Sequence, residues 1–296
     1  MPREQRTRGI LCVIGAMFGF SIMAAFAKHL GGDYSVFEIC FFRYFFGIIP
    51  FLPVFALKGG FKVFKTQHLG AHAWRTFVGV VALILYFYSI NMLPLAEAFV
   101  ISFTNPLAIT LLSVLLLKEK VGKDLWAAVA IGFIGVLIAV HPSGISSFNP
   151  GILVAFAAIP FYSMAMISVR MLTQKDGATT VLAYFIVFST LMCAVPAALT
   201  WKSPDFWDFL IFALCGIVGG CSQMLLTKAY SLAPPQVISP FNYTSIIWGA
   251  LLGFVFWGEM PDEYVWIGAA IVIACGLYIA RREKILRKEI PPVQPQ

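Results

Sequence analysis

The stretch from Pro94 to Pro106, PLAEAFVISFTNP, combines helix-breaking residues with side chains that can bind a solute. Glu97 carries a carboxylate that could bind a proton or a cationic group, and Ser102 and Asn105 offer hydrogen-bonding groups. Pro106 removes a helical N–H and frees a carbonyl one turn earlier. These residues favour reversible binding of a small molecule or a proton. The alternative for Glu97 is a carboxylate that stabilises the first turn of a helix through the helix dipole.

A second stretch, residues 239–248, has the same combination with its proline at a different place. Pro240 lies beside Asn242 and Tyr243, and Trp248 follows within two turns. Polar groups in an apolar environment must find partners, either in neighbouring helices or in a bound ligand. The faces of Tyr243 and Trp248 could stack on a planar molecule.

Arg43 is the most unusual ionisable residue, because it lies within an apolar run over residues 36–57. An arginine at the centre of a membrane helix costs roughly 2.5–3.5 kcal/mol on insertion scales, so such residues are functional candidates. Glu38 lies about 140° away around a helix, which strains a pair within the helix. Two interpretations remain: a binding role, or a structural role through pairing with Glu38 or contact with the headgroups.

The elements that must position these residues are membrane spans. The chain has 296 residues, of which 60% are hydrophobic and 12% are charged. Soluble domains have about 25% charged residues, so the composition indicates an all-α polytopic membrane protein. The net charge of +7 does not indicate nucleic-acid binding, because the basic residues lie in short gaps between apolar runs.

Ten apolar runs are each long enough to cross a hydrocarbon layer of about 30 Å as a helix. They cover residues 9–30, 36–57, 72–92, 95–117, 124–141, 150–171, 178–200, 206–230, 236–257 and 264–281. When the N-terminus is placed inside, nearly all Lys and Arg fall on the inner side, Arg75 among them. The outer side holds Lys28 and Lys202. This bias predicts a multi-pass protein of the bacterial inner membrane with both termini in the cytoplasm.

The chain contains an internal repeat of about 140 residues. At an offset of 142 the matches include Phe20 with Tyr162, Ser21 with Ser163, and Lys28 with Arg170. At an offset of 140 they include Pro94 with Pro234, Phe103 with Tyr243, Thr104 with Thr244, and Glu119 with Glu259. Each copy has five spans, an odd number, so the second copy is inverted. The sequence predicts repeats over residues 1–145 and 146–296, an architecture typical of secondary transporters.

These features resemble the EamA-type branch of the drug/metabolite transporter superfamily. The resemblance rests on the ten spans, the Phe37-Glu38…Arg43 start of the second span, and a Pro-to-Glu module at 94–119 and 234–259. It covers nearly the whole chain. It implies a transporter fold, in a branch whose members export amino acids or import flavins or S-adenosylmethionine.

The repeat separates scaffold residues from candidate functional residues, because a residue found in only one copy can serve an asymmetric substrate. Glu119 and Glu259 match, so we interpret them as structural caps or ion-pair partners at helix ends. The predicted substrate-binding residues are Arg43, Tyr86, Asn91, Ser102, Asn105, Tyr162, Ser163, Gln223, Asn242, Tyr243 and Trp248. The predicted proton-binding or gating residues are Glu38, Glu97, Pro106 and Pro240.

The predicted function is secondary transport of a small amphipathic metabolite with a planar part, such as riboflavin, S-adenosylmethionine or an aromatic amino acid. The alternatives are an exporter of amino acids or drug-like compounds, or else a channel or a membrane enzyme. We expect no enzymatic activity, cofactor, metal or nucleic-acid partner, because no catalytic, nucleotide-binding or C-x-x-C motif occurs. The expected partners are the lipid bilayer, the substrate, and a coupling proton or exchanged metabolite, with the protein a monomer or a dimer.

Overall fold

The structure, a computed structural model, describes residues 3–57, 60–105, 108, 112, 123–140, 149–173, 175–232 and 239–289. Across these residues all regular elements are helices. Six helices are long and apolar enough to cross a membrane, and shorter apolar helices cover Trp126–Ala139, Phe241–Trp257 and Glu263–Tyr278. The protein is therefore all-α and multi-pass, as the sequence predicts.

The helices follow the predicted spans closely. The first half contains α1 (Arg3–Leu30), α2 (Val36–Gly47), α3 (Leu52–Leu57), α4 (Leu69–Met92), α5 (Leu95–Ser102) and α6 (Lys123–Val140). The second half contains α7 (Pro150–Thr173), α8 (Ala178–Leu199), α9 (Phe206–Leu232), α10 (Thr244–Trp257) and α11 (Glu263–Glu289). Helix α2 and helix α3 form one span, joined by a 3-10 turn at Ile49–Phe51 that contains Pro50.

Local sequence signals set several helix ends. The Ser35 side chain accepts a hydrogen bond from the Phe37 N–H, and the Glu38 carboxylate accepts one from the Ser35 N–H, so the two form a capping box before α2. Pro94 immediately precedes α5, where its missing N–H costs the helix no hydrogen bond. Gly258 ends α10 with a φ of 68°, a left-handed conformation that favours glycine.

The helix of the fourth span ends before the predicted proline, and the ninth span has a 3-10 turn at its own proline. Helix α5 stops at Ser102, the residue whose carbonyl a proline at position 106 leaves free. Tight bonds of the 3-10 type follow, from the Phe103 N–H to the Val100 carbonyl and from the Thr104 N–H to the Ile101 carbonyl. In the second half, a 3-10 turn at Ser239–Tyr243 precedes α10. Pro106 and the rest of the predicted fourth span up to residue 117 lie almost wholly outside the described residues.

Contacts between loops show that the two halves run in opposite directions. The Lys28 ammonium, near the end of α1, donates to the Leu93 carbonyl after α4 at 2.9 Å. The Asn149 amide, just before α7, donates to the neighbouring Met92 carbonyl at 2.6 Å. Helix α1 therefore runs toward this end of the bundle, and its counterpart α7 runs away from it. We call this end, marked by Lys28 and Leu93, the Lys28 end.

The two halves interlock through matching helix pairs. Helix α1 packs most extensively on α9, and the equivalent pair in the inverted copy, α7 and α4, also packs extensively. Helix α6 packs along its own counterpart, α11. There a Cβ added to Gly268 would lie 2.4 Å from the Gly135 carbonyl oxygen, so glycine permits the close approach. The predicted boundary near residue 145 lies outside the described residues and stays a prediction.

Candidate functional site

The cleft beside Arg43 lies between the two halves of the chain. The first half contributes α2 and the following 3-10 turn, and the second half contributes α8 and α9. The residues that line the cleft are Arg43, Tyr44, Gly47, Phe51, Leu182, Phe185, Ile186, Gly219, Gly220, Gln223 and Met224. It therefore brings together two of the predicted binding residues, Arg43 and Gln223, with aromatic residues that the sequence did not single out.

Arg43 forms no ion pair with a carboxylate in the described part of the chain. Its Nε atom is buried without a hydrogen-bond partner, and its Cζ atom lies 4.5 Å from the centre of the Tyr44 ring. Glu38 is fully buried, and its two carboxylate oxygens accept from the Lys202 N–H at 2.9 Å and the Ser35 N–H at 3.3 Å. The structural alternative, an Arg43–Glu38 ion pair, is therefore not formed. A gating role for Glu38 stays a prediction.

Arg75 is a buried cation that the sequence did not indicate as a site residue. The charge pattern favours an inner segment for Arg75, but α4 begins at Leu69, so Arg75 lies about two turns inside the helix. It is only 8% exposed, and its Nε and Nη1 atoms have no partner. Its Cζ atom lies 3.4 Å from the centre of the Phe185 ring. In the sequence, Arg75 lies within the apolar run 72–92, close to its start. An arginine at such a place is also typical of a residue that marks the cytoplasmic end of a span.

Several of the predicted polar residues have buried atoms without hydrogen-bond partners among the described residues. These atoms are the Oδ1 atoms of Asn91, Asn105 and Asn242, the Oγ atom of Ser163, and Nε1 of Trp248. Native proteins leave few buried polar atoms unpaired, so each such atom calls for a ligand or water partner. Both copies contribute to this set. A ligand-binding role for these side chains stays a prediction.

Other predicted residues are already engaged within the protein. The Ser102 hydroxyl donates to the Ala98 carbonyl of its own helix at 2.8 Å. The Tyr243 ring packs against Phe103 with centroids 4.7 Å apart. Tyr86 packs beside Phe99, with ring centroids 6.5 Å apart. These contacts give each side chain a structural role. A binding role for these residues stays a prediction.

The remaining predicted residues lie in separate places. Tyr162 is 40% exposed on α7. Glu97 lies in the first turn of α5, two residues after Leu95, whose N–H donates to the Glu259 carboxylate. Pro240 lies in the 3-10 turn before α10, and Pro106 lies outside the described residues.

Glu259 joins the two copies at the Lys28 end. Its carboxylate forms an ion pair with Lys28 and also accepts the Leu95 N–H at 3.1 Å, at the start of α5. This confirms the predicted role of Glu259 as an ion-pair partner at a helix end. Its counterpart Glu119 lies outside the described residues.

Comparisons with known proteins agree with this architecture. The sequence model of the EamA-like transporter family matches residues 7–141 and again residues 149–281. The chain is 18% identical to a solved crystal structure that it matches with a TM-score of 0.64, over 94% of this chain and 99% of the other. At that identity the likeness shows a shared fold.

Three curated relatives are similar over nearly their whole length. An S-adenosylmethionine uptake transporter of Rickettsia bellii is 29% identical over 87% of this chain and 88% of its own. A riboflavin transporter of Vibrio cholerae is 27% identical over 93% and 94%. A pseudopaline exporter of Pseudomonas aeruginosa is 27% identical over 93% and 97%. All three are transporters of small molecules.

Proposed function

The chain belongs to the EamA-like transporter family, and from this premise we propose that it is a secondary transporter that works by alternating access. Membership and the relatives make it a multi-pass membrane transporter of a small metabolite. The proposed substrate is an amphipathic metabolite with a planar or heterocyclic part. The substrate crosses unchanged, without enzymatic conversion.

The observation that carries this proposal is the set of unpartnered buried polar atoms contributed by both copies. Asn91 and Arg43 come from the first copy, and Ser163, Asn242 and Trp248 come from the second. In a bilayer an unsatisfied polar group costs several kcal/mol, so the set needs water or a polar solute as its partner. A site formed by both copies is also where rocking of one copy against the other changes access.

The relatives support the substrate class and leave the direction open. S-adenosylmethionine and riboflavin, the solutes named for two of them, both contain a planar heterocycle. The pseudopaline exporter favours a second candidate function, export on the same scaffold. We propose that gradients set the net direction and that a proton or an exchanged metabolite provides the coupling.

The proposed location is the bacterial inner membrane, with both termini in the cytoplasm. The N-terminus of α1 and the C-terminus of α11 leave the bundle at the same end, opposite the Lys28 end. The positive charges that flank the other inner loops favour that end as the cytoplasmic one.

Reconstitution into liposomes tests the proposal. Radiolabelled S-adenosylmethionine and riboflavin are supplied outside, and vesicle contents are separated by chromatography. The proposal predicts accumulation of at least one unchanged solute above protein-free vesicles. A chemically altered product, or no uptake of either solute, contradicts it.

A further inference from the structure

We propose that the cleft beside Arg43 recognises an anionic group, a carboxylate or a phosphate, on the planar substrate, and that Arg43 and Arg75 together supply its positive charge. This inference rests on the proposed function and names a chemical class for its substrate. It depends on three features of the structure.

The first feature is that two cations lie close together without an acidic partner. The Arg43 guanidinium lies over the Tyr44 ring, whose edge contacts the Phe185 ring. The Arg75 guanidinium lies over that same Phe185 ring. Among the described residues, no carboxylate forms an ion pair with either arginine. Two like charges in an apolar interior repel each other, so an anion at this place relieves both the repulsion and the desolvation.

The second feature is the number of guanidinium donors left free. Nε of Arg43, and Nε and Nη1 of Arg75, are buried without partners. A guanidinium presents its N–H groups in a planar fork that matches a carboxylate or a phosphate. These unpaired donors therefore suit an oxyanion better than a neutral ring.

The third feature is the aromatic wall that joins the two arginines. Phe185 lines the cleft with Arg43, and the other arginine, Arg75, rests on the Phe185 ring at 3.4 Å. Tyr44 contacts Phe185 edge-on, with ring centroids 5.4 Å apart, and Arg43 lies 4.5 Å from the Tyr44 ring centre. Aromatic faces beside a cationic pair suit a solute that is both planar and anionic.

The other chemistry of the cleft agrees with this class. Gln223 adds one neutral hydrogen-bonding side chain, and Met224 adds a polarisable apolar contact. Gly219 lets α9 approach Met23 and Arg43 closely. A Cβ at this position would lie 2.7 Å from Met23 Sδ and 3.7 Å from Arg43 Nε.

The test measures binding to the full chain in lipid nanodiscs with probe pairs that differ in one anionic group. Tryptophan is compared with tryptophanamide for a carboxylate, and flavin mononucleotide is compared with riboflavin for a phosphate. The inference predicts that the anionic member of at least one pair binds about tenfold tighter or more. The pair that discriminates identifies the source of the anion. Preference of less than about twofold in both pairs, or no binding by any probe, overturns the inference.

Substitutions test whether the two arginines cause the preference for the anionic probe. Arg43→Ala and Arg75→Ala each reduce the preference to within about twofold, and Arg75→Lys retains part of it. Arg8→Ala is the matched control, because Arg8 is exposed and pairs with Glu4 at the N-terminal end of α1. An equal preference in Arg8→Ala and in the two cleft variants overturns the assignment. If Arg75→Ala does not fold, Arg75→Lys and the comparison within the unaltered protein decide.

Failure of this inference is distinguishable from failure of the proposed function. Uptake of a solute in liposomes without discrimination between the probe pairs overturns the anion site alone. Discrimination without uptake supports the anion site and contradicts transport.

Discussion

Phe103 and Tyr243 pack ring against ring, with their centroids 4.7 Å apart. The two residues are counterparts in the two copies at an offset of 140. Equivalent residues touch each other only close to the axis that relates the copies, so this contact locates the pseudo-two-fold axis between the interrupted fourth and ninth spans. Arg43 and its counterpart Phe185 line one cleft for the same reason.

The same symmetry places one hydrogen bond at each end of the bundle. Tyr34 donates to Asp208 at 2.6 Å, and Thr66 donates to Asp176 at 2.7 Å. At the offset of 142, Tyr34 corresponds to Asp176 and Thr66 corresponds to Asp208, so donor and acceptor exchange places between the copies. Both bonds therefore belong to the shared scaffold.

We expect Tyr34→Phe and Thr66→Val to destabilise the protein by similar amounts, roughly 1–2 kcal/mol each, because each removes a hydrogen bond to a carboxylate. Thermal unfolding in detergent measures this. Thr227→Val is the control, since Thr227 is exposed and its hydroxyl bonds within its own helix. Losses that differ strongly between the two ends would contradict the shared role.

The hydrogen bond from Thr66 to Asp176 also makes the stability loss in Thr66→Val depend on pH. Hydrogen bonds from Thr66 and then His72 hold the pKa of Asp176 below its usual value. A depressed carboxyl pKa adds stability above the unfolded pKa of about 3.9, and this stability is lost as pH falls through the folded pKa. In Thr66→Val that acid-sensitive contribution becomes smaller, so the stability difference from the unaltered protein shrinks in acid.

Lys28 and Glu259 hold the two copies together at one end. We expect Glu259→Ala to lower stability by about 3 kcal/mol, because it leaves a largely buried lysine without its partner. The charge exchange Lys28→Glu with Glu259→Lys does not restore stability, since Glu259 also accepts the Leu95 N–H and Lys28 also donates to the Leu93 carbonyl. The single variant Lys28→Arg retains most of the stability of the unaltered protein, because the positive charge stays in place. Full recovery in the exchanged variant would show that charge alone matters.

Gly268 permits the contact between α6 and α11. We expect Gly268→Ala to cost about 1–3 kcal/mol, because its Cβ would meet the Gly135 carbonyl and the Ala139 side chain within 2.5 Å. Gly70→Ala is the matched control: no atom lies within 4 Å of its added Cβ, so alanine in α4 is neutral or slightly stabilising. Thermal unfolding of both variants decides, and equal stability would contradict the close approach.

Substitutions at Asn242 and at Thr244 distinguish a residue proposed to bind the ligand from one with a structural role. The Asn242 Oδ1 atom is buried without a partner, whereas the Thr244 hydroxyl donates to the Phe241 carbonyl at 2.7 Å. We expect Asn242→Ala to raise the KM for uptake of S-adenosylmethionine or riboflavin about fivefold to tenfold, as the loss of about one hydrogen bond implies. Thr244→Ala changes it little. Equal effects in the liposome assay would undercut the distinction.

Much of the fold could be predicted because long apolar runs and an internal repeat are visible in the sequence itself. Apolar runs matched the ends of α6, α7, α8 and α9 within two residues, whereas α1 begins at Arg3 and α11 ends at Glu289, beyond the predicted runs 9–30 and 264–281. The proline positions indicated the end of α5 before Phe103 and the 3-10 turn at Ser239–Tyr243. Sequence spacing could not reveal which polar residues lack partners. Ser102 and Asn105 lie in one stretch, yet Ser102 bonds to its own helix and the Asn105 Oδ1 atom has no partner.

Arg75 shows the limit of a charge count. An arginine near the start of a span reads as a topology marker, and only the packing of α4 against α8 places it on the Phe185 ring. Pairs such as Phe103 with Tyr243 were visible as counterparts, but contact between them depends on where the axis passes.

The most direct test of the central claim, a site between the copies that is reached from both sides, is two-sided labelling at position 242. Asn242→Cys is placed in a chain whose exposed Cys221 is changed to Ser, and a membrane-impermeant maleimide is added to right-side-out or to inside-out vesicles. The account predicts labelling from both sides, slowed by S-adenosylmethionine or riboflavin, whichever is taken up. Labelling from one side alone, or labelling that neither solute slows, would contradict it.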